Sequence, residues 1–143
     1  LDLAAVAAGG AERDHEVDRA CRMAVQALAS APGVVMHSSL GAVHDGPVPP
    51  VAVLGEALAR VVVACRVHAG IERVVIAGGD TSGYVTRALG VEALEAVGPV
   101  RGQALLCRVT AGDLVVSGLE LVLKGGQIGR DDLFETARTG AGP

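Results

Sequence analysis

Between Glu12 and Ser30 the apolar residues recur at three- and four-residue steps. Val17, Cys21, Ala24, Val25 and Leu28 share one face while Asp14, Asp18 and Arg22 take the other, which predicts an amphipathic helix. Pro32-Gly33 ends it. Val34-Val35-Met36 is a short unbroken apolar run and predicts a buried strand that delivers His37, Ser38 and Ser39 at its carboxyl end. Gly, Asp-Gly and Pro-Pro signals make Gly41 to Pro50 a loop. A second helix fits Val51 to Ala69, with Leu54, Leu58, Val61, Val62 and Cys65 inward and Gly70 as its stop.

Arg73 to Ala77 reads as the next strand and runs straight into Gly78-Gly79-Asp80-Thr81-Ser82-Gly83. A third helix is expected from near Ser82 to Leu89-Gly90. The texture then changes to successive strands over Val91–Val97, Gln103–Val109 and Leu119–Leu123, separated by Gly, Pro and Asp turns. The last strand leads into Lys124-Gly125-Gly126-Gln127-Ile128-Gly129. Asp131-Asp132 opens a short final helix through Phe134 and Ala137, its carboxylates suited to a helix N-terminus. Helices alternating with strands predict an α/β fold: a layered sandwich with a mixed, largely parallel sheet flanked by helices, its antiparallel part coming from the later strand cluster.

Composition narrows the picture. The 143 residues suit a single domain over 1–143, which can bury roughly 68–70% of its unfolded surface. Only Tyr84 and Phe134 are aromatic, so the core must be built from Ala, Val and Leu. A net charge of −4 with no basic stripe argues against a nucleic-acid partner. Cys21, Cys65 and Cys107 form no CxxC pair and read as small buried hydrophobes of a reducing, cytoplasmic setting. No 18-residue apolar run implies a membrane partner. The chain opens on Leu1 and not Met, from which we expect a piece of something longer. Oligomeric state, including a homo-oligomer, is left open.

In an open α/β sheet ligands bind beyond the carboxyl ends of the strands. Three segments qualify: His37-Ser38-Ser39, Gly78 to Gly83, and Lys124 to Gly129. The second has the parts of an anion cradle, because Gly78, Gly79 and Gly83 let backbone approach a phosphate, Thr81 and Ser82 add hydroxyls, and a helix N-terminus follows. Asp80 repels a bare phosphate at close range, so it either holds Mg²⁺ indirectly or caps the helix. The segment matches neither GxxxxGK[ST] nor GxGxxG, and a plain strand-to-helix turn is the competing reading. Lys124 is the only lysine among the 12 Lys and Arg residues. Standing before Gly125 and Gly126, it either neutralises a nucleotide phosphate as a point charge or snorkels out of a strand end. The histidines form no ligand pattern, and no GxSxG elbow accompanies the serines.

The string VVIAGGDTSG within Arg73 to Gly83 resembles the hallmark of the four-carbon acid sugar kinases, and LVLKGGQIGRDDLF is similar to that family's closing motif. The usual closing pattern is closer to Lys-Ser-Gly-Asn-Phe-Gly, so Gly125, Gln127 and Ile128 stand for Ser, Asn and Phe; Gln103-Ala104 stands where a Pro-Gly-Val-Pro-like turn is common. The resemblance covers nearly the whole chain and implies the C-terminal nucleotide-binding domain of a two-domain kinase. Such kinases use ATP and Mg²⁺ to phosphorylate erythronate, threonate or 3-oxo-tetronate. It further implies that Ser38 contacts the nucleotide, that Gly79 to Ser82 cradle its phosphates and that Gly125 and Gly126 close over it. The sugar acid and the base that deprotonates it would belong to an N-terminal domain outside this chain, and the piece alone is expected to bind without turnover. Two other readings compete: a degenerate nucleotide- or effector-binding or oligomerisation module, for which Gln127 and Ile128 speak, and a phosphosugar-binding enzyme.

Overall fold

The chain forms five helices and a four-stranded sheet among the residues described, 1–38, 46–100, 104–125 and 130–140, in a computed structural model. The order is α1 (Leu3–Ala8), α2 (Gly10–Leu28), α3 (Val51–Ala69), β1 (Arg73–Ala77), α4 (Gly79–Ala88), β2 (Val91–Val100), β3 (Ala104–Ala111), β4 (Glu120–Lys124) and α5 (Leu133–Thr139). The strands lie in the order β1-β4-β3-β2. β1 pairs parallel with β4, whereas β3 runs antiparallel to both β4 and β2. The expected mixed α/β sheet therefore forms, with the parallel pairing of its described strands confined to β1 and β4.

Side-chain alternation along the strands divides two cores between the two faces of the sheet. Ile76, Leu121, Val109 and Ala111 face α3 and α4, together with Val85 and Leu89 of α4. Val122, Val100 and Ala104 face α5, whose Leu133 and Ala137 close that side. A third cluster joins Ala20 and Ala24 of α2 to Val61 and Cys65 of α3, so α3 is packed on two sides. Aromatic poverty is answered by close approach. A Cβ on Gly55 of α3 would lie 2.6 Å from Tyr84 Cβ and 2.9 Å from the Tyr84 carbonyl carbon of α4.

Two ionic clamps pin neighbouring elements to one another. Arg73 at the start of β1 donates to Glu120 of β4 from Nε at 2.8 Å and Nη2 at 2.6 Å, while its Nη1 donates to the Ala137 carbonyl of α5 at 2.6 Å. Glu16 of α2 accepts from the Asp2 amide at 2.8 Å and from Arg19 at 2.6 and 2.7 Å, with its side chain 7% exposed. The Arg19 hydrogen bond, opposed by burial and helped by the Asp2 amide, lowers the Glu16 pKa from 4.5 to about 2.

Three elements differ from the expectation. The Val34–Met36 run is not a strand; Val34 and Val35 are 42% and 71% exposed, and only Met36 packs, against the α2–α3 cluster. A short apolar run becomes a strand only where a ladder partner lies within hydrogen-bond reach, and no bridge joins this run to β1 among the described residues. α4 begins at Gly79 rather than near Ser82, because Gly78 makes the break (φ +115°) and helical bonding starts at once with the Ser82 amide on the Gly78 carbonyl at 2.8 Å. α1 had no counterpart in the apolar periodicity. Its signal was Asp2 before an Ala-rich stretch: Oδ1 accepts from the amides of Ala4 and Ala5 at 2.9 and 3.3 Å.

Gly55→Ala should force α3 and α4 apart at the cost of about 1–3 kcal/mol, as overpacking does. Thermal melts should show a lowered midpoint, and an unchanged one would mean that the helices part freely. Glu16 titrates lower in the folded chain than unfolded, so its contribution is complete above pH 4.5 and is lost as pH falls toward about 2. Glu16→Gln should accordingly destabilise by about 1–3 kcal/mol near neutrality. Denaturant melts at several pH values should show this difference shrinking below pH 4.5.

Candidate functional site

Parallel pairing of β1 with β4 sets Ala77 opposite Lys124, so both glycine segments leave the same end of neighbouring strands. The Gly78 amide extends the ladder one step further and donates to the Lys124 carbonyl at 3.0 Å. Gly78 must be glycine twice over, because its φ of +115° is unfavourable for other residues and a Cβ would lie 3.2 Å from Thr81 Oγ1.

From that point α4 rises with a glycine N-cap and no side-chain cap. Gly79, Asp80 and Thr81 are its first three residues, whose amides have no intrahelical acceptor. A Cβ on Gly79 would meet nothing within 4 Å, so the approach to these amides is open. The Thr81 hydroxyl makes no hydrogen bond among the described residues, whereas the buried Ser82 hydroxyl is committed inward, 2.7 Å from the Gly78 carbonyl and 3.4 Å from that of Ile76. Ser82 thus holds the turn together. Asp80 is exposed in the first turn, and Gly83 lies one turn along the same helix.

Across the ladder, Lys124 is half-buried and its ammonium donates to the Gly125 carbonyl at 2.9 Å. Gly126, Gln127 and Ile128 lie outside the described residues, as do Ser39 and Gln103. Ser38 is half-buried at the end of the irregular 33–37 segment, and no hydrogen bond joins it to either glycine segment among the described residues. Gly78–Ser82 and Lys124–Gly125 are thus brought together, and Ser38 is not tied to them. One group went unforeseen. The exposed Arg87 guanidinium lies 4.9 Å from the Tyr84 ring centroid and folds back to 3.9 Å from the position of a Cβ on Gly83. It adds positive charge along α4 toward the loop; the three-residue spacing of Tyr84 and Arg87 was its only signal.

Uncapped amides, an open glycine surface and nearby cations fit the phosphates of a nucleotide. For Mg²⁺ the fit is narrower. No group of three or more His, Cys, Asp or Glu is placed to hold a metal among the described residues. The ion would be held chiefly by phosphate oxygens, with Asp80 reaching it through water. A recess of about 80 Å³ between β2 and α5, lined by Arg73, Val100, Leu106 and Thr136, is on the other face of the sheet. It is too small for a nucleotide, since pockets for such ligands run to roughly 300 Å³ or more.

The class the structure defines is an α/β domain with an uncapped helix N-terminus and a lysine strand end at one edge of a mixed sheet. More particularly, this chain belongs to the nucleotide-binding C-terminal domain family, whose model matches residues 1–134. It is 33% identical to a 3-oxo-isoapionate kinase of Paraburkholderia graminis over 87% of this chain and 30% of that protein. It is 40% identical to a 3-oxo-tetronate kinase of Pseudomonas savastanoi over 49% of this chain and 15% of that protein. The chain therefore spans less than a third of the length of these relatives. A crystal structure of a domain of unknown function from Bordetella bronchiseptica, with bound citrate, shares the fold at TM-score 0.72 and 23% identity, covering 96% of this chain and 33% of that one. The resemblance drawn from the two glycine motifs thus holds at the level of family.

Ser82→Ala should lower thermal stability by about 1 kcal/mol, because the Gly78 carbonyl loses its hydroxyl donor. Thr81→Val should leave the melt nearly unchanged. Equal melting of Ser82→Ala and the parent chain would show that the hydroxyl does not hold the turn.

Proposed function

We propose that this chain is the nucleotide-binding domain of an ATP-dependent kinase for four-carbon acid sugars of the erythronate, threonate or 3-oxo-tetronate type. The observation that carries the reading is the Gly78 amide on the Lys124 carbonyl, which sets both glycine segments at one strand edge. Kinase names among the relatives support the reaction class. The amides of Gly79, Asp80 and Thr81 would take up phosphate charge, with Lys124 and Gly125 on the other side and Asp80 facing Mg²⁺. Phosphoryl transfer asks chiefly for such positioning and charge neutralisation. The sugar acid and the base for its hydroxyl would lie on a domain beyond this chain, and the setting is the cytoplasm.

Calorimetric titration with ATP, with and without Mg²⁺, tests this reading. Asp80→Asn should weaken Mg·ATP binding more than metal-free ATP, since only the metal complex loses a partner. Lys124→Ala should weaken both forms. One charge-assisted contact is worth roughly 1.5–3 kcal/mol, or about one to two decades of affinity. Absence of ATP binding to the folded parent chain, or equal affinity of all three proteins at low salt, would overturn the reading.

A further inference from the structure

The α4 face of the sheet loses its helical cover along the edge strand β2 and at the end of β3 nearest the glycine segments. Along the central strand β3, Val109 and Ala111 are 2% and 8% exposed beneath the helices, yet Leu105 on the same face is 53% exposed. Strand pairing sets Leu105 directly opposite Leu123 of β4 and Pro99 of β2. Their neighbours Val122, Leu106 and Val100 belong to the core on the α5 face, which puts Leu123, Leu105 and Pro99 together on the α4 face. Leu123 is half-buried and immediately precedes Lys124; Pro99 is exposed. Three apolar side chains in a row across three strands thus form a shelf about 10 Å wide at two strand spacings, beginning one residue from the lysine loop.

We infer that this shelf receives the base of the nucleotide, an inference that rests on the nucleotide reading above. A nucleotide whose phosphates meet the α4 N-terminus and Lys124 carries its base one ribose away, and this shelf is the uncovered apolar surface continuous with that strand end. A base has flat faces that gain by leaving water, and with no described aromatic on these strands the contact is made by aliphatic side chains. Three side chains offer far less than the ~800 Å² per partner of a stable protein interface, so a small planar ligand suits the shelf better than a second domain. The shelf would make the site prefer a nucleoside triphosphate to a bare polyphosphate chain.

Titration of the chain with Mg·ATP and with Mg·tripolyphosphate tests this. The parent chain should bind ATP more tightly than tripolyphosphate. Leu105→Ser should weaken ATP by about tenfold, the effect of re-exposing some 50–60 Å² of apolar surface, and leave tripolyphosphate unchanged. Leu94→Ser, on the same face opposite Val109, should change neither. Melting curves establish that each variant is folded, as expected for side chains 53% and 39% exposed. Equal binding of ATP and tripolyphosphate by the parent chain overturns the shelf while leaving the phosphate site standing. So does an unchanged ATP affinity in Leu105→Ser, which would assign the surface to a protein contact, and so does an equal loss of both ligands or an equal loss in Leu94→Ser. Binding of neither ligand by the parent chain is the failure of the nucleotide reading itself.

Discussion

The pairing of β1 with β4 is the contact on which the rest of this chain depends. The two strands are 47 residues apart in sequence where Arg73 meets Glu120, and the chain between them makes a helix and two antiparallel strands. Closing so long a loop costs entropy that is recovered only if the pairing is held at several points. The Arg73–Glu120–Ala137 clamp holds one end, buried Ile76, Leu121 and Val122 hold the middle, and the Gly78–Lys124 hydrogen bond holds the other end. A parallel pairing has a further consequence: both carboxyl ends face the same way, so the polar segments that follow them share one edge.

At that edge, packing and function make opposite demands on small residues. Gly55 is small so that α3 can reach Tyr84, with less than a methyl group of space between them. Gly79 has open space around it and is small to no packing purpose, which is what a surface approached by a ligand requires. Gly78 is glycine for its backbone angle. In a chain with 20 glycines and one tryptophan-free, nearly aromatic-free core, these distinct reasons look identical in one-letter code. Ser82 and Thr81 make the same point: adjacent hydroxyls with the same donor capacity, one spent on the turn and the other without a hydrogen bond among the described residues.

Much was legible without coordinates. The helix Val51–Ala69 and the strand Arg73–Ala77 fall where periodicity and their Gly and turn boundaries place them, because those signals are local. The two glycine motifs carried the family, because each is a run of contiguous residues. Local composition also misled. Val34-Val35-Met36 has the content of a buried strand, but content does not supply a neighbour. The glycine run 78–83 reads as a loop, but a helix N-terminus with an open backbone is itself compatible with glycine.

By itself, then, the sequence determined the elements with strong periods, the α/β class and the two motifs that assign the family, since each depends on residues within a turn or two of one another. Tertiary structure alone decided that β4 slots between β1 and β3, that Lys124 comes to lie across the ladder from Ala77, that Ser82 turns inward, and that Leu105 stands bare beside the glycine edge. Each of these is a relation between residues far apart in the chain. Register and strand order arise from summed burial over both faces of the sheet, and no short window of sequence contains that sum.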